Sequence, residues 1–503
     1  LHGGGGDNQP STAQEGILQG TEDTRRDALI LLGLTVALLA WRIWVIQNSG
    51  ITLYVDEAQY WTWAQDLGWG YYSKPPGVAA LIVVSTALFG DGMLGVKATA
   101  MLCYPLAAVA CWGIARRLYD ERTAFWSAVA VLTLPIFSWL GLFVSTDALL
   151  TLFWMLALWT YLCALDRDTW GDWILLGIVC GLGLLSKYTM AAWLGAAFLH
   201  LLAFHCSRLA SAKPWLAAGL ALLILSPNLH WNFIHDFPTL KHTAEITVSK
   251  RAGGGLKALG EFWAAQWLSF GPILGSVFVL LLFRARQSWR DERTRLLLWF
   301  ALPLWVIVSA QALNSNANAN WAAPAFAPAV IAAVAWLLQR EKKRTLVIGL
   351  AINVAVVGLA YHWQQVLVAV DVKNPAKMNF YTRAQGWDGL GRQLKPILVA
   401  HPAAVLVADN RTLLAHMLYE VRDLKPEAAS WNPSGKASDH YKLTTDLRPF
   451  VGKDALLITQ DPPGADLVRS FSSINRLATL KAPLDAQTSR NMDVYLLRDF
   501  KGY

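Results

Sequence analysis

The chain has 503 residues, of which 55% are hydrophobic and only 16% charged, against about 25% charged in a soluble globular protein. Its mean hydropathy is +0.35, which excludes both an ordinary soluble enzyme and a disordered chain. The net charge of +8 does not point to nucleic acid, because most of the cations sit in short clusters between apolar runs.

The charge is unevenly spread. Residues 363–503 carry 32 charges in 141 residues, whereas residues 28–362 carry 39 in 335. This predicts a disordered cytoplasmic tail over 1–27, a transmembrane catalytic domain over 28–362 and a soluble periplasmic domain over 363–503.

In chain order, the first apolar run covers 28–47 and follows Arg25 and Arg26. Ten more lie near 93–115, 123–141, 147–165, 173–187, 189–204, 214–228, 263–283, 295–313, 321–338 and 345–362. Cations cluster at every second junction: Arg116, Arg117 and Arg122; Arg167; Arg208 and Lys213; Arg284 to Arg295; Arg340 to Arg344. The positive-inside rule makes these loops cytoplasmic. About eleven crossings result, with the N-terminus inside and the C-terminal domain outside. Residues 57–67 and 76–90 are expected as interfacial helices, the second too short to span. Beyond 363, Ala403–Ala408, Ala455–Thr459 and Val494–Leu497 predict strands and Thr412–Val421 a helix, which together suggest a small α/β domain. The fold class is a polytopic helical membrane protein with that domain appended. The five cysteines show no disulfide framework or metal spacing.

Ionisable groups near the hydrocarbon are functional candidates. Arg42, Asp56, Glu57, Lys74, Lys97, Asp147 and Lys187 all fall toward the outer face. Lys97 reads as a structural anchor, and Asp147 also reads as a helix N-cap. Lysines there suit a lipid phosphate, and a carboxylate facing them suits a general base or an acceptor-orienting group. His230, His235 and His242 share an outer loop, but their spacing fits no zinc pattern. The residues alone leave open a transferase acting on a lipid-linked phosphate or a lipid- or ion-coupled transporter.

One stretch is distinctive. Tyr54-Val55-Asp56-Glu57-Ala58-Gln59-Tyr60-Trp61, with Gly70-Tyr71-Tyr72-Ser73-Lys74-Pro75-Pro76-Gly77 downstream, resembles the bacterial branch of the dolichyl-phosphate-mannose–protein mannosyltransferase superfamily. These are C-type glycosyltransferases, and the branch includes lipid A aminoarabinose and galacturonosyl transferases. Ser145-Thr146-Asp147-Ala148, Gly183 to Tyr188, Pro227 to Asn232 with Phe237-Pro238-Thr239, and Asn320-Trp321-Ala322-Ala323-Pro324 follow in family order. The likeness covers residues 28–365 and extends weakly to Ala408-Asp409-Asn410-Arg411.

The resemblance implies transfer of a sugar, with inversion, from a polyprenyl phosphate (undecaprenyl phosphate in bacteria). The acceptor would be lipid A or another envelope glycolipid on the periplasmic side of the inner membrane. A protein acceptor is the alternative within the same fold. By position, Asp56, Glu57 and Asp147 would be catalytic. Lys74, Tyr71, Tyr72, Lys187, Tyr188, Arg42 and His242 would hold the donor lipid phosphate. A divalent cation near the carboxylates is conceivable, and nothing in the sequence requires one. Ser73 departs from other branches, so the resemblance does not carry over the identity of the sugar or of the acceptor.

Overall fold

In the computed structural model, residues 11–248, 254–315 and 317–503 are described. The helices in chain order are α1 (Ser11–Asn48), α2 (Val55–Gln65), α3 (Gly77–Phe89), α4 (Met93–Leu118), α5 (Glu121–Leu132), α6 (Pro135–Leu140), α7 (Thr146–Arg167), α8 (Trp170–Ser186), α9 (Met190–Phe204), α10 (Ala212–Ile234), α11 (Pro238–Val248), α12 (Leu256–Phe270), α13 (Pro272–Phe283), α14 (Ala285–Arg290), α15 (Glu292–Asn314), α16 (Ala323–Leu338) and α17 (Lys343–Tyr361). All eleven apolar runs are helical. Among the described residues, seven helical segments are long and apolar enough to cross a membrane, and α3, α8, α9 and α13 are shorter apolar helices. With 13 residues and a rise of about 1.5 Å each, α3 falls well short of the ~30 Å hydrocarbon core.

Two of the runs are broken, each for a local reason. The run 123–141 divides into α5 and α6 where Leu134 is extended and Pro135 takes the start of α6, a position that suits proline because its missing N–H is not needed there. The run 263–283 divides at Gly271, whose φ is +86° and whose absent Cβ leaves room for the Asn353 side chain. The N-terminal expectation also needs correction. Helix α1 starts at Ser11, so residues 11–27 are helical rather than disordered, and residues 1–10 lie outside the described residues. Its early turns carry good helix formers, Ala13, Gln14, Glu15 and Leu18, and follow Pro10.

The centre of the bundle is α16, whose hydrophobic and small side chains are buried on all sides. Its alanines let neighbouring backbones approach closely. In contrast, α1 and α10 lie at the rim. The cation-rich junctions meet at one end: Arg117 pairs with Asp166, Arg208 and Lys213 converge on Asp168, and Arg293 lies over Tyr119 and Arg295 over Phe204.

At the other end, α2 and the turn before α3 meet the C-terminal region. That region starts with α18 (Trp363–Ala369), α19 (Pro375–Met378), α20 (Trp387–Ala400) and α21 (Arg411–Glu420). Its sheet has strands β1 (Val405–Ala408), β2 (Ala428–Ser430), β3 (Ala455–Thr459), β4 (Phe471–Pro483) and β5 (Ser489–Phe500) in the order β2-β1-β3-β5-β4. The first three strands are parallel and β5 and β4 antiparallel. The domain is seated by Thr62 against the Tyr441 hydroxyl at 2.8 Å, by Trp61 edge-on to Tyr419, and by Thr52 N–H donating to Ala384 O at 2.7 Å.

Candidate active site

The first turn of α2 carries two adjacent carboxylates that meet different fates. Glu57 turns inward and is 1% exposed. The Lys97 ammonium contacts both of its oxygens at 2.5 and 2.6 Å. The backbone N–H groups of Tyr54 and Val144 donate to it at 2.7 and 2.6 Å. Lys97 also donates to Leu142 O at 3.1 Å. The pair thus ties the start of α2 to α4 and to the 142–144 turn. Both Glu57 oxygens therefore meet protein donors, while Glu57 also lines the chamber beside Asp56.

Asp56, one residue earlier, turns into a polar chamber of about 710 Å3. Arg411, the first residue of α21, donates to Asp56 Oδ1 at 3.1 Å and to Gln59 Oε1 at 2.6 Å. No sequence motif assigns Arg411 a role. One signal was available: α21 opens with a cation and has no acid in its first turn, an arrangement its helix dipole disfavours.

Asp147 reaches the same chamber from α7. Ser145, not Asp147, takes the N-cap position. Asp147 sits in the first turn, where the dipole favours a carboxylate. Lys187 donates to its Oδ1 at 2.6 Å and Asn320 to its Oδ2 at 2.7 Å. Lys187 can do so because it leaves the end of α8 in an extended conformation. Asn320 opens the Asn320–Pro324 motif, and the fold brings it to the site. Each Asp147 oxygen already meets a protein donor, which is not the open, oxygen-rich arrangement a divalent ion takes. Among the described residues, no three His, Cys, Asp or Glu side chains group as a metal site.

Lys74 stands between two cavities. It lines the polar chamber and also an apolar groove of about 520 Å3. Burial, then the neighbouring Lys187 charge, lowers its pKa to about 8. The groove is walled by Tyr188, Ala192, Leu304, Ile307 and Val308, with His242 at its rim. Tyr188 is held by Asn228, which accepts from its hydroxyl, and by Asn232, which donates to it at 3.0 Å. Burial, followed by Lys74, holds His242 below the usual histidine range. Lys187 and Trp321 line both cavities as well.

Three expected phosphate ligands lie elsewhere. Arg42 is buried, donates to the Tyr361 hydroxyl at 3.1 Å and packs beneath Gly141, where a Cβ would stand 2.4 Å from its guanidinium carbon. Tyr71 stacks on Trp63 with ring centroids 4.3 Å apart. Its hydroxyl donates to Trp63 O and accepts from Gly68 N–H, both at 3.0 Å. Tyr72 is buried beside His242, with ring centroids 5.2 Å apart, and lines neither cavity. The tyrosines form the packed base of the Lys74 turn.

Residues 73–231 match the family described as dolichyl-phosphate-mannose-protein mannosyltransferase. The chain is 29% identical over 436 residues to a lipid A galacturonosyltransferase, RgtD, of Rhizobium johnstonii, covering 86% of this chain and 91% of that protein. It is also 29% identical to an undecaprenyl phosphate-alpha-4-amino-4-deoxy-L-arabinose arabinosyl transferase of Pseudomonas fluorescens, over 56% of this chain and 55% of that one. The crystal structure of ArnT from Cupriavidus metallidurans bound to undecaprenyl phosphate shares the fold. It has a TM-score of 0.63 and 17% identity, covering 92% of this chain and 98% of that one.

Proposed function

We propose that this multi-pass membrane protein, which has the C-type glycosyltransferase fold and resembles the lipid A-modifying branch of its superfamily along most of its length, transfers a sugar from a polyprenyl phosphate to an envelope glycolipid, lipid A foremost. Its cation-rich end would face the cytoplasm. The polar chamber and residues 363–503 would then face the periplasm, with the protein in the inner membrane.

One observation carries the reading. Lys74 and Lys187 sit on the boundary shared by an apolar groove and a polar chamber. A polyprenyl phosphate has that same division: a hydrocarbon tail for the groove, and a phosphate and sugar for the boundary and the chamber. The acceptor attacks the anomeric carbon as its bond to the phosphate oxygen breaks. One displacement inverts that carbon and releases the lipid phosphate. Lys74 and Lys187 meet the charge that develops on the leaving phosphate. Asp56 faces the acceptor, taking a proton from a hydroxyl or positioning a phosphate that is already nucleophilic. Asp147 holds Lys187 in place.

The test is transfer from undecaprenyl-phosphate sugar to lipid A by the purified protein in detergent, where no second compartment exists for transport. Lys74→Ala is expected to slow turnover on the order of 10²–10³-fold, and Asp56→Asn to slow it severely. Normal rates in both variants would overturn the assignment.

A further inference from the structure

The chamber's charges do not balance, and the excess lies at its mouth. Among its carboxylates, Glu57 pairs with Lys97, Asp147 with Lys187 and Asp56 with Arg411. Three lining cations remain outside these pairs: Lys74, Lys377 and Arg383. Lys74 is accounted for by the donor phosphate. Lys377 and Arg383 are exposed and form no ion pair with any described residue. Among the described residues, the Arg383 guanidinium hydrogen-bonds only to the Tyr54 hydroxyl, at 3.5 Å, and Tyr54 stands at the N-terminus of the helix bearing Asp56. Arg383 therefore lies on the acceptor side of the chamber.

Between these cations the same segment exposes large apolar side chains. Met378 and Phe380 are 55% and 50% exposed, and Val368 and Val370, just before them, 69% and 64%. Apolar side chains set beside basic heads are the chemistry of a surface that meets an anionic lipid headgroup. A soluble or neutral acceptor calls for neither half of it. The donor groove is built from other elements, α9, α11 and α15, so this rim is free for a second lipid.

We infer that the 368–383 rim is the docking site of the acceptor, an anionic phosphoglycolipid, with Lys377 and Arg383 holding its phosphate and Val368, Val370, Met378 and Phe380 meeting its acyl region. This rests on the transferase reading above. Arg383 can grip phosphate through two parallel N–H bonds, whereas Lys377 acts as a point charge.

The test varies lipid A and undecaprenyl-phosphate sugar concentrations separately for the full-length protein. In the Lys377→Ala/Arg383→Ala double variant, the KM for lipid A should rise about 10–100-fold, as expected for lost charge-assisted hydrogen bonds. The donor KM and kcat should stay within about 3-fold, and Lys377→Arg/Arg383→Lys should recover most of the loss. Both side chains are exposed, so the variants should keep their fold. Phe380→Ser should raise the same KM. A rise in the donor KM instead, or no change in either, would overturn the inference. Should the wild type transfer no sugar, the transferase reading fails. Native mass spectrometry still decides the rim in that case: lipid A retained by the wild type and lost from the double variant upholds it, and equal retention sinks it.

Discussion

Arg411 reaches across 355 residues of sequence to place its guanidinium 3.1 Å from Asp56 and 2.6 Å from Gln59. The C-terminal domain thus contributes a side chain that holds Asp56, one of the carboxylates lining the chamber. Both partners are about two-fifths exposed, and an exposed ion pair adds only about 0–1 kcal/mol to stability. Arg411→Ala should therefore leave Tm nearly unchanged. It should lower kcat/KM, because Asp56 is then free to rotate away from the acceptor, and Arg411→Lys should restore part of it. A large loss of stability with normal turnover per folded molecule would show that the arginine only docks the domain.

Lys74 sets a pH limit. Its pKa is lowered to about 8 by burial and by Lys187, so the free enzyme loses this charge as pH rises through about 8. The kcat/KM profile should fall there with a one-proton slope. In Lys74→Arg the alkaline fall should move up or vanish, whatever the absolute rate. For stability the sign is opposite. The unfolded chain, with lysine near 10.5, binds more protons between pH 8 and 10.5, so stability rises with pH across that window. Lys74→Met should accordingly raise Tm at neutral pH while slowing transfer as Lys74→Ala does.

The Glu57–Lys97 pair gives a contrasting expectation. Both side chains are essentially unexposed, and removing one partner strands the other, at a cost of about 3–5 kcal/mol. Lys97→Met and Glu57→Ala should each reduce the yield of monodisperse protein and lower Tm. The double variant should be less damaged than their sum. Strict additivity in thermal unfolding would mean the two groups do not act as a pair.

How much of this was legible follows from what each signal measures. Apolar runs report helices, and all eleven are present. Scarce ionisable groups in apolar surroundings pointed to Asp56, Lys74, Asp147 and Lys187, and these four do surround one chamber. Scarcity does not say where a side chain turns. Asp56 and Glu57 are neighbours on a helix, so they point roughly 100° apart, and only packing decides which of the two, both lining the chamber, is tied up by Lys97. Arg42, Tyr71 and Tyr72 share the composition of a site but are taken up by Tyr361, Trp63 and His242. Arg411 and Asn320 are polar residues in polar stretches, so nothing local marks them, and only the fold brings them to Asp56 and Asp147. Strand β4 is not legible in the sequence because most of its residues are exposed or half-buried and so lack the alternation that marks a strand.

Glu420 provides a test of the C-terminal domain away from the chemistry. It ends α21, and its Cβ lies against Gly391 of α20, where an added Cβ would stand 2.4 Å away. Burial, and then Asp388, raises its pKa from 4.5 to about 7. A raised carboxyl pKa contributes stability that is fully present below about 4.5 and lost as pH rises through about 7. Hydrogen exchange of the full-length protein should show α20 and α21 opening more readily at pH 7.5 than at pH 5. Glu420→Gln, which keeps the shape and removes the charge, should flatten that dependence. Because α21 begins at Arg411, loosening the helix should also loosen the contact with Asp56. The Glu420→Gln enzyme should then hold its turnover at higher pH better than the wild type. A pH dependence of exchange identical in the two proteins would mean that Glu420 ionises without strain and that the α20–α21 contact does not sense pH.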